Sequence, residues 1–243
     1  MKIKKKIVLI TGSSGGIGSN LVECFNKSGY KVLALDFNSK NNIKKNIYGI
    51  SCDLSRFVMN KVYSKNILKK INKHLNNDGL DVLINNAAVQ IIGNLNSIDK
   101  KKWQKSLDVN LTAPFLLIKY LIKSLKKKSG SIINISSIHA KLTKKNFLAY
   151  STSKAALSSM TKALAIDIGS DIQINAIEPG GVLTPMYLKG LKNKKKNINY
   201  LKRKVCKPSE LATFILAIVK GKYKFLNGSC LEYNGGVGNI LID

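Results

Sequence analysis

Seven short apolar runs recur along the chain, separated by amphipathic segments long enough for helices. The runs are KIVLI (6–10), KVLALD (31–36), IYGISCD (47–53), LDVLINNAA (80–88, a strand and its exit loop), GSIINISS (130–137), IQINAIEPG (172–180) and SCLEYNGG (229–236). Near-continuous Val, Ile and Leu is the pattern of strands buried on both faces. Alternation of such strands with helices points to a parallel sheet wrapped on both sides. The expected fold is therefore α/β, a doubly wound seven-stranded parallel sheet with helices on both faces. Helices are expected at 16–29, 56–76, 99–127, 147–169 and 208–221. The third should bend near Pro114, which cannot continue helical hydrogen bonding. The last opens with Pro-Ser-Glu, a helix-start pattern. A chain of 243 residues suits one such domain, and no repeat or composition shift divides it. Residues 185–207, polar and rich in lysine, are expected to form a substrate lid.

The first strand runs directly into TGSSGGIG (11–18). Gly12, Gly16 and Gly18 let the backbone turn tightly and approach a phosphate, and Ser14 and Ile17 complete the loop. The helix that follows offers unpaired N–H groups and a positive dipole end to an anion. A bare glycine loop is weak, but placement between a strand and a helix strengthens it. Asp36 ends the second strand, eighteen residues past Gly18. A carboxylate there can accept hydrogen bonds from an adenosine ribose and would repel a 2′-phosphate. Gly15 and Phe37 supply no cation for such a phosphate, so NAD is expected in preference to NADP.

Ser137, Tyr150 and Lys154 lie further along, the serine at a strand end and the other two on the next helix. Four residues apart, Tyr150 and Lys154 share one helix face. A nearby ammonium lowers a tyrosine pKa, and a serine hydroxyl could hold a substrate oxygen beside the phenol. That is equipment for moving a proton to or from an alcohol or carbonyl. The spacing alone is uninformative. With 9 Tyr and 41 basic residues, of which only Arg56 and Arg203 are arginine, chance supplies about 1.4 such pairs. The chain has two, and Tyr200/Lys204 has no preceding strand or serine pair. Context therefore singles out Tyr150/Lys154.

These motifs, with CDL (52–54), NNAA (85–88), DVN (108–110), YSTSK (150–154) and PGGVLT (179–184), occur in the order and spacing of one family. Over nearly its full length the chain resembles a short-chain dehydrogenase/reductase of the compact type. The resemblance implies a single Rossmann-like domain over residues 1–243 and an NAD(P)-dependent oxidoreductase. It would interconvert a secondary alcohol and a ketone on a small polar substrate such as a sugar or hydroxy acid. By resemblance, Asn110, Ser137, Tyr150 and Lys154 would be catalytic. Tyr150 would be the general acid/base, Lys154 would hold the nicotinamide ribose, and Asn110 would kink the long helix and anchor a relay water. Asp53 and Leu54 would meet the adenine, and Asn86 and Ala87 would pass the adenosine ribose. Pro179, Gly180, Val182 and Thr184 would meet the carboxamide and phosphates. Ala88 stands where the family usually has glycine. Gln90 and His139 are candidates for lining the substrate. The family commonly forms homotetramers or homodimers through its long helices, and Ala155, Ala156 and Leu157 are expected to give a close-packing outer face.

The net charge of +28 invites a nucleic-acid reading. Two arginines among 41 basic residues argue against it, since base and phosphate readers favour the arginine fork. The lysines are spread over the whole length and read as solvated faces. No apolar run is long enough to span a bilayer. Cys24, Cys52, Cys206 and Cys230 lack Cys-x-x-Cys spacing, so no metal site is expected, and a reducing cytoplasm suits them. Two alternatives remain: a 3-oxoacyl-carrier-protein reductase, whose usual NADPH preference Asp36 disfavours, and a non-catalytic cofactor-binding regulatory or scaffold protein.

Overall fold

In β1 (Ile7–Thr11), Ile7 and Leu9 point to one face, Val8 and Ile10 to the other, and all four are buried. A strand with buried apolar residues on both faces has to be covered on both sides. The same holds for β2 (Lys31–Asp36), β4 (Val82–Asn85) and β5 (Ser131–Ile135). β3 (Ile47–Ser51), β6 (Gln173–Pro179) and the late strand β9 (Cys230–Tyr233) complete a parallel seven-stranded sheet in the order β3-β2-β1-β4-β5-β6-β9. The register sets Val8 between Val32 and Val82. This computed structural model describes residues 4–39, 44–191, 205–221 and 223–239.

One face of the sheet packs Leu9, Leu33, Leu83 and Ile132 against α2 (Leu54–Met59), α3 (Lys61–Leu75), α5 (Ala113–Lys126) and α6 (Leu148–Ile168). The other packs Val8, Ile10, Ala34 and Ile84 against Leu21 and Phe25 of α1 (Gly16–Lys27) and Leu211 and Ile215 of a later helix, Pro208–Gly221. Each fully buried aliphatic or aromatic side chain contributes about 1.5–3 kcal/mol of transfer free energy. The chain travels outward from β1 to β3 and then returns to β4 on the other side. That reversal opens a crevice at the carboxyl ends of β1 and β4, where open α/β sheets bind ligands.

The structure corrects several boundaries. The helix expected over 56–76 is two helices, broken at Asn60, whose backbone is extended (φ −124°, ψ 105°). The Asn60 side chain caps α3 by accepting the Tyr63 N–H at 2.8 Å. The helix expected over 99–127 comprises α4 (Lys100–Leu107), a π turn (Asp108–Thr112) and α5. The irregularity therefore lies upstream of Pro114, which sits in the first turn of α5, where a missing N–H is tolerated. Pro114 still contributes, because it cannot donate to the carbonyl four residues back, that of Asn110. A second sheet of two parallel strands, β7 (Gly181–Val182) and β8 (Val205–Cys206), joins the two ends of the expected lid. Between them α7 (Pro185–Leu191) is helical. The rest of the lid, 192–204, with Tyr200 and Lys204, lies outside the described residues. Pro208–Gly221 is α8. Leu157 is turned into the core at 1% exposure, so it does not belong to an outer face with Ala155 and Ala156. Among the described residues no helix is long and apolar enough to cross a membrane.

Candidate active site

The crevice is a cleft of about 1340 Å³. Its floor is the glycine loop. Gly12 has φ +63°, in the left-handed region, and a Cβ there would lie 2.7 Å from Ala87 Cα. At Gly18 a Cβ would lie 1.9 Å from the Gly12 carbonyl oxygen, so no side chain fits where α1 packs beneath the loop. Helix α1 begins at Gly15 with no side-chain cap and no acidic residue in its first turn. The N–H groups of Gly16, Ile17 and Gly18 therefore lack intrahelical acceptors, and these residues line the cleft. This is an anion cradle, and a cofactor diphosphate fits it.

The loop is fixed from behind. Thr11 Oγ1 accepts the N–H groups of Asn86 and Ala87, both at 3.0 Å. Asn86 Nδ2 donates to the carbonyls of Thr11 (2.9 Å) and Gly12 (3.1 Å). Asn86 thus clamps the β1 exit to the β4 exit. Ala88, also on the cleft, is not among the residues with positive φ, so its methyl requires no left-handed backbone. Asp36 ends β2 and lines the cleft. Its carboxylate accepts the N–H of Ser14 (2.9 Å) and of Asn38 (3.2 Å). One oxygen of Asp53 accepts the Ser55 and Arg56 N–H groups at the start of α2. Its other oxygen has no hydrogen-bond partner among the described residues. Asp53 is thus a helix cap as well as a cleft residue, with Leu54 buried beside it. On the opposite wall lie Pro179, Gly180, Val182 and Thr184. Thr184 Oγ1 accepts the Tyr187 N–H at 3.2 Å in the first turn of α7. A Cβ on Gly16 would meet Thr184 Cγ2 at 2.7 Å, so the wall reaches down to the glycine loop.

Ser137, Tyr150 and Lys154 come together at the inner end, all buried. Ser137 Oγ accepts the His139 N–H at 3.1 Å. Lys154 Nζ donates to the Ile135 carbonyl at 2.7 Å and lies 5.9 Å from the centre of the Tyr150 ring. Burial pushes the Tyr150 phenol up, opposed by the Ser137 hydroxyl. The expected lowering by Lys154 is not the governing effect here. Burial acts on Lys154 itself and brings its ammonium down to about 7. Gln90 and His139 both line the cleft.

Asn110 lies in the π turn with its side chain fully engaged. Its Oδ1 accepts the Val89 N–H (2.8 Å), and Nδ2 donates to the Val89 carbonyl (3.0 Å) and to Ser153 Oγ (2.9 Å). Sequence reasoning missed the partners. Ser153 Oγ donates to the Tyr150 carbonyl (2.7 Å), and Ser106 Oγ donates to the Ala149 carbonyl (3.1 Å). Ser153 lies one turn past Tyr150 and Ser106 one turn before Asn110, so polar residues at inward helical positions were the available signal. Beneath Lys154, Ser136 Oγ donates to its carbonyl (3.0 Å), and Ser158 Oγ lies 2.8 Å from both Ser136 Oγ and Glu178 Oε1. Lys141 Nζ stands 3.4 Å from the other oxygen of the buried Glu178. Among the described residues no cluster of His, Cys, Asp and Glu could hold a metal.

Comparison with known proteins agrees with this geometry. The family profile described as short chain dehydrogenase matches residues 6–195. A trans-4-hydroxycyclohexanecarboxylate dehydrogenase of Sinomonas cyclohexanicum is 30% identical over 99% of this chain and 96% of its own. A 3-oxoacyl-(acyl-carrier-protein) reductase of Thermotoga maritima is 30% identical over 98% of this chain and 99% of its own. Among solved structures, 4-hydroxyisoleucine dehydrogenase complexed with NADH superposes with a TM-score of 0.83 at 27% identity, covering 95% of this chain and 98% of that one.

Proposed function

The chain belongs to the short-chain dehydrogenase family of oxidoreductases, and from that premise we propose that it interconverts a secondary alcohol and a ketone on a small polar molecule, using NAD. The observation that carries this reading is the convergence of buried Ser137, Tyr150 and Lys154 on a cleft floored by an uncapped helix N-terminus. Bound NAD supplies the hydride acceptor. In oxidation Tyr150, as its phenolate, takes the proton of the alcohol oxygen as the carbon–hydrogen electron pair leaves as hydride and the C=O bond forms. In reduction Tyr150 returns that proton. Ser137 holds the same oxygen and offsets the charge that develops on it. Lys154, anchored on the Ile135 carbonyl, presents its remaining valences to ribose hydroxyls, and Asn110 holds the π turn against α6 so that Tyr150 keeps its place.

Asp36 supports NAD over NADP, because a carboxylate at the end of β2 would repel a 2′-phosphate and neither Gly15 nor Phe37 offers a cation. For the substrate, the names of two of the relatives specify a hydroxyl on a molecule that also carries a carboxylate. Lys100, Lys101, Lys105 and Lys144 line the same cleft, which supports a hydroxy acid. The Thermotoga maritima relative favours 3-oxoacyl thioesters as the second reading. Assaying hydroxy acids, sugars, short alcohols and 3-oxoacyl thioesters with NAD and NADP separately decides between them. Faster turnover of the thioesters with NADP would reject the first. Leu148 and Ile166, exposed and five turns apart on one face of α6, support a homodimer or homotetramer, and a monomer by light scattering at micromolar concentration would reject it. The four cysteines are unpaired, in keeping with a reducing cytoplasm.

A further inference from the structure

His139 is held in one tautomer beside Tyr150. It lies in the short 3-10 turn (Ile138–Ala140) after Ser137, and Nδ1 is 3.0 Å from the Leu142 carbonyl. A carbonyl can only accept, so Nδ1 carries the hydrogen and Nε2 carries a lone pair. The ring packs on Phe147 with centroids 4.6 Å apart and stands edge-on to Tyr150 at 6.0 Å. Phe147 itself meets Tyr150 at 6.0 Å and 85°, so the three rings brace one another. Among the described residues nothing hydrogen-bonds Nε2, and His139 lines the cleft. Burial, together with the charge of Lys144, pushes the ring below its ordinary value and keeps it neutral.

We propose that His139 is a specificity-determining residue whose Nε2 accepts a hydrogen bond from a second hydroxyl of the substrate, close to the reacting carbon. The substrate class is thereby narrowed to polyhydroxylated molecules. A 3-oxoacyl thioester has only acceptors near its ketone and would leave Nε2 facing another lone pair. A lone carboxylate at that point would be repelled in the same way, so an acid group must sit elsewhere in the cleft. The inference rests on the hydride-transfer reading and refines its substrate.

Butan-2-ol, butane-2,3-diol and butane-1,3-diol share one carbon skeleton and test it directly. Oxidation of each with NAD is measured for the wild type, His139→Phe and His139→Gln, with NADH binding as the check on folding. His139→Phe keeps a ring in the stack and removes the acceptor, whereas His139→Gln keeps an acceptor. The expected result is at least about a tenfold wild-type preference in kcat/KM for one diol over butan-2-ol, the size of one hydrogen bond. That preference falls to near unity in His139→Phe and is largely kept in His139→Gln. No wild-type preference for either diol, or a preference that survives His139→Phe, overturns the inference and leaves the function standing. Equal loss on all three alcohols in His139→Phe makes the ring a wall and overturns it too. Failure of all three alcohols in the wild type strikes the hydride-transfer reading itself.

Discussion

Replacing Lys154 by methionine should flatten the pH dependence of the protein's stability. Lys154 is 2% exposed, and burial alone brings its ammonium from 10.5 to about 7. The sign follows from counting protons. Between about 7 and 10.5 the unfolded chain holds the Lys154 proton and the folded chain does not, so stability rises with pH through that window. The burial penalty is complete below the folded value and gone above the unfolded one. From pH 7 to pH 9 this residue should add ~2 kcal/mol to wild-type stability. Methionine binds no proton and has similar volume. It leaves the Ile135 carbonyl without its Lys154 partner, at a cost of about 1–3 kcal/mol that does not vary with pH. Tyr150, the titrating neighbour, is pushed up by burial in the cofactor-free protein, away from the pH 7 to 9 range of the assay. The assay is urea unfolding of both proteins at pH 7, 8 and 9 without added cofactor. The difference between them should shift by ~2 kcal/mol in favour of the wild type as pH rises. Profiles parallel within about 0.5 kcal/mol, the usual additivity scatter, would refute the reasoning.

Two further outcomes are expected. Asp36→Ala removes the carboxylate at the end of β2, so NAD affinity measured by titration should fall about 10- to 100-fold while NADP affinity does not; unchanged NAD affinity would remove Asp36 from the cofactor site. Ser153→Ala leaves Asn110 Nδ2 without its 2.9 Å partner and frees the Tyr150 carbonyl, so the urea midpoint should drop by the equivalent of about 1–3 kcal/mol and kcat should fall with NADH binding intact. An unaltered kcat would make that contact irrelevant to the placing of Tyr150.

The sheet was legible because β1, β2, β4 and β5 are apolar on both faces, a property that composition alone displays. The glycine loop was legible for a different reason. Positive φ at Gly12 and the 1.9 Å approach at Gly18 exclude other residues, so the constraint leaves a mark in the letters. Tyr150 was separated from Tyr200 by what precedes it. The features that escaped are those created by distant partners. The π turn is held by Asn110 contacts to Val89 and Ser153, 21 and 43 residues away, and nothing local announces it. β7 and β8 are two residues each, too short for any periodicity. The burial that governs Lys154 comes from its neighbours in space, and a helix-spacing argument saw only Tyr150. Leu157 was grouped with Ala155 and Ala156 in one close-packing face, whereas the helix turns it into the core.

The central claim is that Tyr150 moves the proton in a nicotinamide-linked alcohol oxidation. The most direct test compares the wild type with Tyr150→Phe for NADH formation on the best alcohol found, with NAD affinity measured alongside. The account predicts a loss of turnover of about 10²–10⁴-fold, the size of a general acid/base contribution, with NAD binding within about twofold of the wild type. A Tyr150→Phe protein that binds NAD normally and keeps more than about a tenth of its turnover would contradict it.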